Sequence, residues 1–212
     1  MVDSLAIALG ANLGDPRTTL KAVRPLLAAA LESWWPGPGR PRLRWSPLFR
    51  TEPVGGPAGQ DDYLNAVLLA DPLPPVGPDQ ALALLAALQG LESDFGRQRQ
   101  EHWGARSLDL DLLWCGALEL DRSDLSLPHP RLGQRSFVLA PLAAIDPLLV
   151  PPGADGRPAG DLVADATPGP SEGPRLNVSQ QLAQLLPRLS EAPPQPLPPS
   201  AGWGECRSFW CG

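Results

Sequence analysis

Lysine occurs once in this chain of 212 residues, at Lys21, and histidine only twice. Cysteine is nearly as scarce. Cys115, Cys206 and Cys211 are an odd number with no metal-ligand spacing, which excludes a disulfide framework or a zinc finger and points to a reducing, cytoplasmic compartment. No apolar run reaches the ~18 residues needed to cross a bilayer, so no membrane partner is expected. The opening Met1-Val2-Asp3-Ser4 has neither the basic nor the apolar stretch of a secretory signal. Positive charge is in deficit: 17 Lys and Arg face 23 Asp and Glu, for a net charge of −6, which excludes a protein that coats nucleic acid. The phosphate-binding pattern G-x-x-x-x-G-K-[ST] is missing too. Gly10-Ala11-Asn12-Leu13-Gly14 is a glycine turn with no Lys-Ser/Thr after it, and a P-loop nucleotidase is excluded.

Apolar residues are present in quantity, at 43% against 19% charged, enough for a substantial core. Twenty-eight prolines are too many for one compact fold, so part of the chain is expected to be irregular. Leu5 to Leu9 reads as a buried strand closed by Gly10. Asp15 then caps a helix that has Pro16 at its first position and Leu20, Val23, Leu27, Ala30 and Trp34 at helical spacing. Pro25 predicts a kink there or a helix with an irregular first turn. Leu43, Trp45, Pro47, Phe49 and Thr51 alternate as a strand that Pro47 confines to an edge or bulge. Tyr63 to Ala70 is a third strand. A second helix opens at Pro78-Asp79 with Leu82, Leu85, Leu88 and Leu91 inward and stops at Phe95-Gly96. Leu108 to Trp114 is a fourth strand, and Ser136 to Ile145 a third helix. The order β-α-β-β-α-β predicts an α+β, ferredoxin-like sandwich on an antiparallel-containing sheet, with its helices on one face and the other face left for a ligand. The domain is expected over residues 1–190, with an irregular Pro/Gly-rich insert at 151–177 and an amphipathic helix at 178–189. Residues 191–212 read as a disordered Pro-rich tail, dispensable for activity.

The sharpest chemical signal is Trp103-Gly104-Ala105-Arg106-Ser107-Leu108-Asp109-Leu110-Asp111. Two apart on a strand, Asp109 and Asp111 project from one face while Leu108, Leu110 and Leu112 hold the other to the core. Such a pair is often only a solvated strand face, but neighbouring carboxylates repel unless a cation joins them. Hard oxygens favour Mg²⁺, which fills its shell with water and substrate phosphates. Arg97, Arg99 and Arg106 lie just upstream, and Arg131 and Arg135 follow beside His129. Arginines next to an acidic pair suit phosphoryl transfer, where cation and guanidinium groups neutralise and align the phosphates. Tyr63 and Asn65 share a strand face; with Phe137 they suit a flat heterocycle, the rings stacking and the amide pairing with its edge. Gln89 and Glu92 share a helix face with Leu85, either as an exposed flank or as partners of the arginine loop.

In this order, these pieces resemble the 6-hydroxymethyl-7,8-dihydropterin pyrophosphokinase family. The resemblance also takes in Leu9-Gly10-Ala11-Asn12-Leu13-Gly14, Phe49-Arg50-Thr51-Glu52-Pro53-Val54-Gly55, Asp62-Tyr63-Leu64-Asn65-Ala66, Pro128-His129-Pro130-Arg131 and Arg135-Ser136-Phe137-Val138-Leu139. It covers about residues 4–150. Ala105 stands where the family usually has proline, and Ala11 where it usually has serine. The resemblance implies transfer of pyrophosphate from ATP to the pterin hydroxymethyl group, with AMP released. It implies two Mg²⁺ ions on Asp109 and Asp111, with Arg97 and Arg99 closing over the phosphates. Leu85, Gln89, Glu92, Arg106, Leu112, His129 and Arg135 would border ATP. Thr51, Pro53, Val54, Tyr63, Asn65, Trp103 and Phe137 would bind the pterin. The partners expected are therefore two small molecules, and the chain is expected to be a monomer. Two rivals stand beside this reading: an AMP-transferring enzyme on the same scaffold, which would release pyrophosphate, and a non-catalytic ferredoxin-like binding module, which would gain no ATP affinity from Mg²⁺.

Overall fold

The computed structural model describes residues 4–55, 57, 59–96, 105–152, 175–199 and 203. Its first half runs β1 (Leu5–Ala11), α1 (Pro16–Trp34), β2 (Arg42–Trp45), β3 (Phe49–Thr51), β4 (Tyr63–Asp71), α2 (Pro78–Asp94) and β5 (Asp109–Cys115). The sheet order is β5-β1-β4-β3, with β2 also on β4 and every pairing antiparallel. This is the ferredoxin-like order, with the second strand broken in two. The break follows from Pro47, which has no N–H for a ladder. Ser46 bridges it: its N–H donates to Val67 O at 2.9 Å and its hydroxyl accepts from Val67 N at 2.9 Å.

Helix α1 starts as its capping residues dictate, the Asp15 carboxylate accepting from Thr18 N at 3.1 Å and Pro16 opening the first turn. It runs through Pro25 as one element, with that proline on the exposed side. Its inward stripe is Leu20, Val23, Leu27 and Leu31. On α2 the inward stripe is Ala81, Leu84, Leu88 and Glu92, a turn of the face away from the leucine series expected; Leu82, Leu85 and Leu91 pack only at its margin. Both helices cover one sheet face, built of Leu5, Ile7, Leu9, Leu64, Leu68, Leu110 and Leu112.

The opposite face is not wholly free. After a small hairpin of β6 (Leu120–Asp121) and β7 (Ser126–Leu127) come α3 (Ser136–Ile145) and α4 (Val178–Leu185). Val138, Leu139, Leu142, Val178 and Leu182 of these helices pack on Ala6, Val67, Leu69, Leu113 and Trp114. Between Ala6 and Ile7 of β1 the pairing with β5 slips by one residue, so that Leu113 and Trp114 both turn to this layer. Helices thus lie on both faces, and only the half of the second face that α3 leaves uncovered remains for a ligand. Asn177 caps α4 by accepting from Gln180 N at 2.9 Å, and a 3₁₀ turn at Leu186–Arg188, which contains Pro187, ends the expected 178–189 helix early.

The C-terminal segment differs most from expectation. Residues 195–196 form β8, which pairs with β3 at the sheet edge, and Trp203 is buried. Residues 191–199 and Trp203 therefore belong to the packed structure; most of the 151–177 insert lies outside the described residues. No helix among the described residues is long and apolar enough to cross a membrane.

Candidate active site

The uncovered half of the second face holds a cavity of about 680 Å³. Its floor is the C-terminal half of β1, where Ala8 and Gly10 present almost no side chain. Asp109 and Asp111 stand on one side of that floor, opposite Gly10 and Ala8 in the β1–β5 register. Tyr63 and Asn65 stand on the other side, since β4 places Asn65 opposite Gly10. The period of two that sends these four side chains to one face follows from the strand pleat. The small residues between them make the space.

The acidic side is already matched with arginine. Arg106 Nη1 lies 2.5 Å from Asp109 Oδ2, and Arg135 Nη1 donates to Asp111 Oδ2 at 2.8 Å. Burial works against the charge of Arg106, but Asp109, through charge and hydrogen bond, holds its guanidinium above the ordinary range. Arg106 is positioned by Asn12, whose Oδ1 accepts from Arg106 N at 2.8 Å while the Asn12 and Leu13 N–H groups donate to Arg106 O at 3.0 and 3.1 Å. Asn12 also donates to Asp61 O at 3.1 Å, so one buried amide joins three loops at the cavity mouth.

Asp109 and Asp111, each with an arginine and side by side at an open cavity opposite the small Gly10 and Ala8, form a hard-oxygen donor set. Among the described residues no group of three or more His, Cys, Asp or Glu gathers anywhere. That does not fit a closed structural metal site. It does fit Mg²⁺, which takes one or two protein carboxylates and completes its octahedron with water and phosphate.

His129 sits beside this charged side. Its ring Nδ1 accepts from Arg131 N at 3.1 Å, which leaves the proton of the neutral ring on Nε2. Burial lowers its pKa, and the nearby Arg135 and Arg131 charges add to this against a smaller opposing pull from Asp111. The imidazole is thus held neutral, as a donor.

At the other end of the cavity the groups are neutral. Asn65, buried, donates from Nδ2 to Thr51 Oγ1 at 2.7 Å. Thr51, Pro53, Val54 and Gly55 form the rim. Phe137, from the first turn of α3, lines the cavity together with Tyr63, and the Arg135 guanidinium lies 5.5 Å from its ring centre. Burial raises the Tyr63 pKa, so the ring stays a neutral phenol.

Of the residues singled out in the sequence, the cavity brings together Thr51, Pro53, Val54, Tyr63, Asn65, Arg106, Asp109, Asp111, Arg131, Arg135 and Phe137. Four others lie elsewhere. Leu112 is buried in the α1–α2 core on the reverse of the sheet, and Leu85 packs against the same core. Glu92 is neither an exposed flank nor at the cavity wall: it is buried, and its carboxylate accepts from Leu110 N at 2.7 Å. It thereby satisfies an N–H of β5 between the two aspartates. Gln89 is exposed on α2. Arg97, Arg99 and Trp103 lie outside the described residues.

Sequence reasoning missed the small floor residues Ala8 and Gly10, the loop-joining Asn12, and the wall residues Glu52, Gln60, Gln134 and Glu191. Asn12 was visible inside the glycine turn, where an amide is common for local reasons. Nothing local marks Glu191.

Residues 6–147 match the sequence profile of the 7,8-dihydro-6-hydroxymethylpterin-pyrophosphokinase family. The chain belongs to this family. Among its relatives, the 2-amino-4-hydroxy-6-hydroxymethyldihydropteridine pyrophosphokinase of Pseudomonas aeruginosa is 39% identical over 165 residues, 77% of this chain and 92% of that protein. The protein of the same name from Synechocystis is 38% identical over 147 residues, 69% of this chain and 68% of its own length. That from Mycobacterium tuberculosis is 34% identical over 183 residues, 81% of this chain and 88% of its own. As a member of the pyrophosphokinase family the chain is an enzyme, a diphosphotransferase of folate biosynthesis. The matched span contains both the aspartate pair and the Thr51–Asn65 pair. The insert and the C-terminal segment that carries Glu191 and Trp203 follow it.

Proposed function

We propose that this enzyme transfers the β,γ-pyrophosphoryl group of ATP to the hydroxymethyl oxygen of 6-hydroxymethyl-7,8-dihydropterin in a Mg²⁺-dependent reaction. The observation that carries the proposal is the polarity of one cavity: paired carboxylates and arginines at one end, an amide and two aromatic rings at the other.

The pterin ring lies between Tyr63 and Phe137, with Asn65, Thr51 and the Pro53–Val54 rim meeting its polar edge. Asn65 keeps its carbonyl for that edge because its amide nitrogen is already given to Thr51. The triphosphate runs toward Asp109 and Asp111. Arg106, Arg135 and neutral His129 donate to its oxygens; Arg97 and Arg99 are assigned to phosphate binding and Trp103 to pterin binding. Asp109 and Asp111 hold the divalent ions, two in number, which supply charge neutralisation at the phosphates. The hydroxymethyl oxygen attacks the β-phosphorus, the bond from that phosphorus to the α–β bridging oxygen breaks, AMP leaves, and the hydroxyl proton passes to solvent. Most of the rate gain comes from alignment and charge neutralisation. Gln89 is assigned to the outer border of the nucleotide, and Glu92 steadies the aspartate-bearing strand by accepting from Leu110 N. A cytoplasmic, monomeric enzyme is the corresponding cellular form.

The test is to mix protein, ATP, Mg²⁺ and 6-hydroxymethyl-7,8-dihydropterin and identify the nucleotide product. AMP with pterin diphosphate is the expected outcome. Free pyrophosphate with an adenylated pterin refutes the proposal, as does turnover that is unchanged when the metal is chelated.

A further inference from the structure

Pro47 breaks the second strand between β2 and β3, and the carbonyls of Ser46 and Leu48 flank the break. The C-terminal segment supplies a donor to each. Leu197 N donates to Leu48 O at 2.7 Å, and the Trp203 indole N–H donates to Ser46 O at 2.9 Å. Between these anchors and the cavity, β8 pairs Gln195 with Arg50 and Pro196 with Phe49, so that β3 gains a second strand neighbour. Ala192 N donates to the Glu52 carboxylate at 3.2 Å, and Glu191 lines the cavity. Trp203 is 5% exposed, meets Trp45 edge-on with ring centres 5.8 Å apart, and lies under the Arg24 guanidinium at 5.4 Å.

Strand β3 has only three residues and carries Thr51, the partner of Asn65. So short a strand with one neighbour is weakly held. An unpaired edge there would also be open to other chains, and the prolines of the segment, Pro193, Pro194, Pro196, Pro198 and Pro199, close the new edge to further pairing.

We infer that residues 191–199, latched by Trp203, form a strap that positions β3 and completes the heterocycle end of the pocket, with Glu191 as its wall residue. The inference rests on the pterin-binding reading of that end. The strap acts on affinity for the pterin and leaves the phosphate end, at Arg106, Asp109, Asp111 and Arg135, untouched.

The experiment uses full-length Trp203→Ala, Leu197→Pro, Glu191→Ala and Trp203→Phe. Affinity for 6-hydroxymethyl-7,8-dihydropterin is measured by calorimetry in the presence of a non-hydrolysable ATP analogue, affinity for the analogue is measured separately, and melting confirms folding. Unlatching by Trp203→Ala or Leu197→Pro is expected to weaken pterin binding roughly tenfold, about one decade in Kd, with analogue affinity within about twofold. Trp203→Phe, which keeps the packing and loses one hydrogen bond, recovers most of the loss. Glu191→Ala, at a partly exposed site that does not carry the fold, weakens pterin binding with no change in melting, and decides the matter if Trp203→Ala fails to fold. Unchanged pterin affinity in the folded variants, or a parallel fall in analogue affinity, overturns the strap. If the unaltered chain itself binds no pterin, it is the substrate reading that fails.

Discussion

Replacing Gly10 by alanine tests the construction of the cavity floor. A Cβ on Gly10 would lie 2.9 Å from Asn65 Oδ1, so about half an ångström of movement is needed to reach an ordinary contact of 3.4 Å. Asn65 is poorly placed to give way: it is buried, and its Nδ2 is 2.7 Å from Thr51 Oγ1. The added methyl therefore either strains that hydrogen bond or shifts β1 against β4. Overpacking of this kind costs about 1–3 kcal/mol, and in a chain of this size ~2 kcal/mol lowers the melting temperature by roughly 4–8 °C. Pterin affinity should fall with it, because the same amide carbonyl is the one left for the ligand. The clean assay is a double-mutant cycle with Asn65→Ala, read by thermal or urea unfolding. Once the amide is gone the methyl enters free space, so the two substitutions together should destabilise less than their sum, by about 1 kcal/mol or more. Additive effects, or a Gly10→Ala protein as stable as the parent, would show that Gly10 is not held small by Asn65.

Asp109→Ala and Asp111→Ala should each slow turnover by ~10³ through loss of several kcal/mol of charge stabilisation, with circular dichroism unchanged; near-normal rates would remove both from the metal site. Glu92→Ala strips the acceptor from Leu110 N in a buried setting and should destabilise by about 1–3 kcal/mol, with faster hydrogen exchange at Leu110; equal exchange would contradict the assigned bond. Burial and neighbouring arginines lower the His129 pKa from 6.5, so the unfolded chain takes up a proton first as the pH falls. The stability this group contributes is full above pH 6.5 and is lost as the pH drops below it, until the folded imidazole also protonates. His129→Asn should flatten that part of the stability–pH curve in the metal-free protein, and an unaltered slope would assign the dependence to other groups.

Much of the chemistry is local and therefore readable in the chain itself. Alternation along a strand is a property of the pleat, so the shared face of Asp109 and Asp111, and that of Tyr63 and Asn65, follow from spacing alone. Asp15 and Pro16 mark the start of α1 for equally local reasons, and Pro47 marks an edge or bulge because proline has no N–H to give; that it splits the strand in two is seen only in the fold.

What needed the third dimension was every relation across strands. That Gly10 separates the acidic pair from Asn65 is a matter of register, which no single strand encodes. Which face of α2 turns inward depended on its packing against β5, where Leu110 N required an acceptor and Glu92 met it. The clearest case is the C-terminal segment. Its proline-rich composition resists the usual signs of packed structure, yet Leu197 N and the Trp203 ring match the carbonyls of Leu48 and Ser46 and the ring of Trp45, about 150 residues earlier in the chain beside Pro47. Composition reports what a segment can do alone; unsatisfied groups elsewhere in the fold decide whether it is recruited.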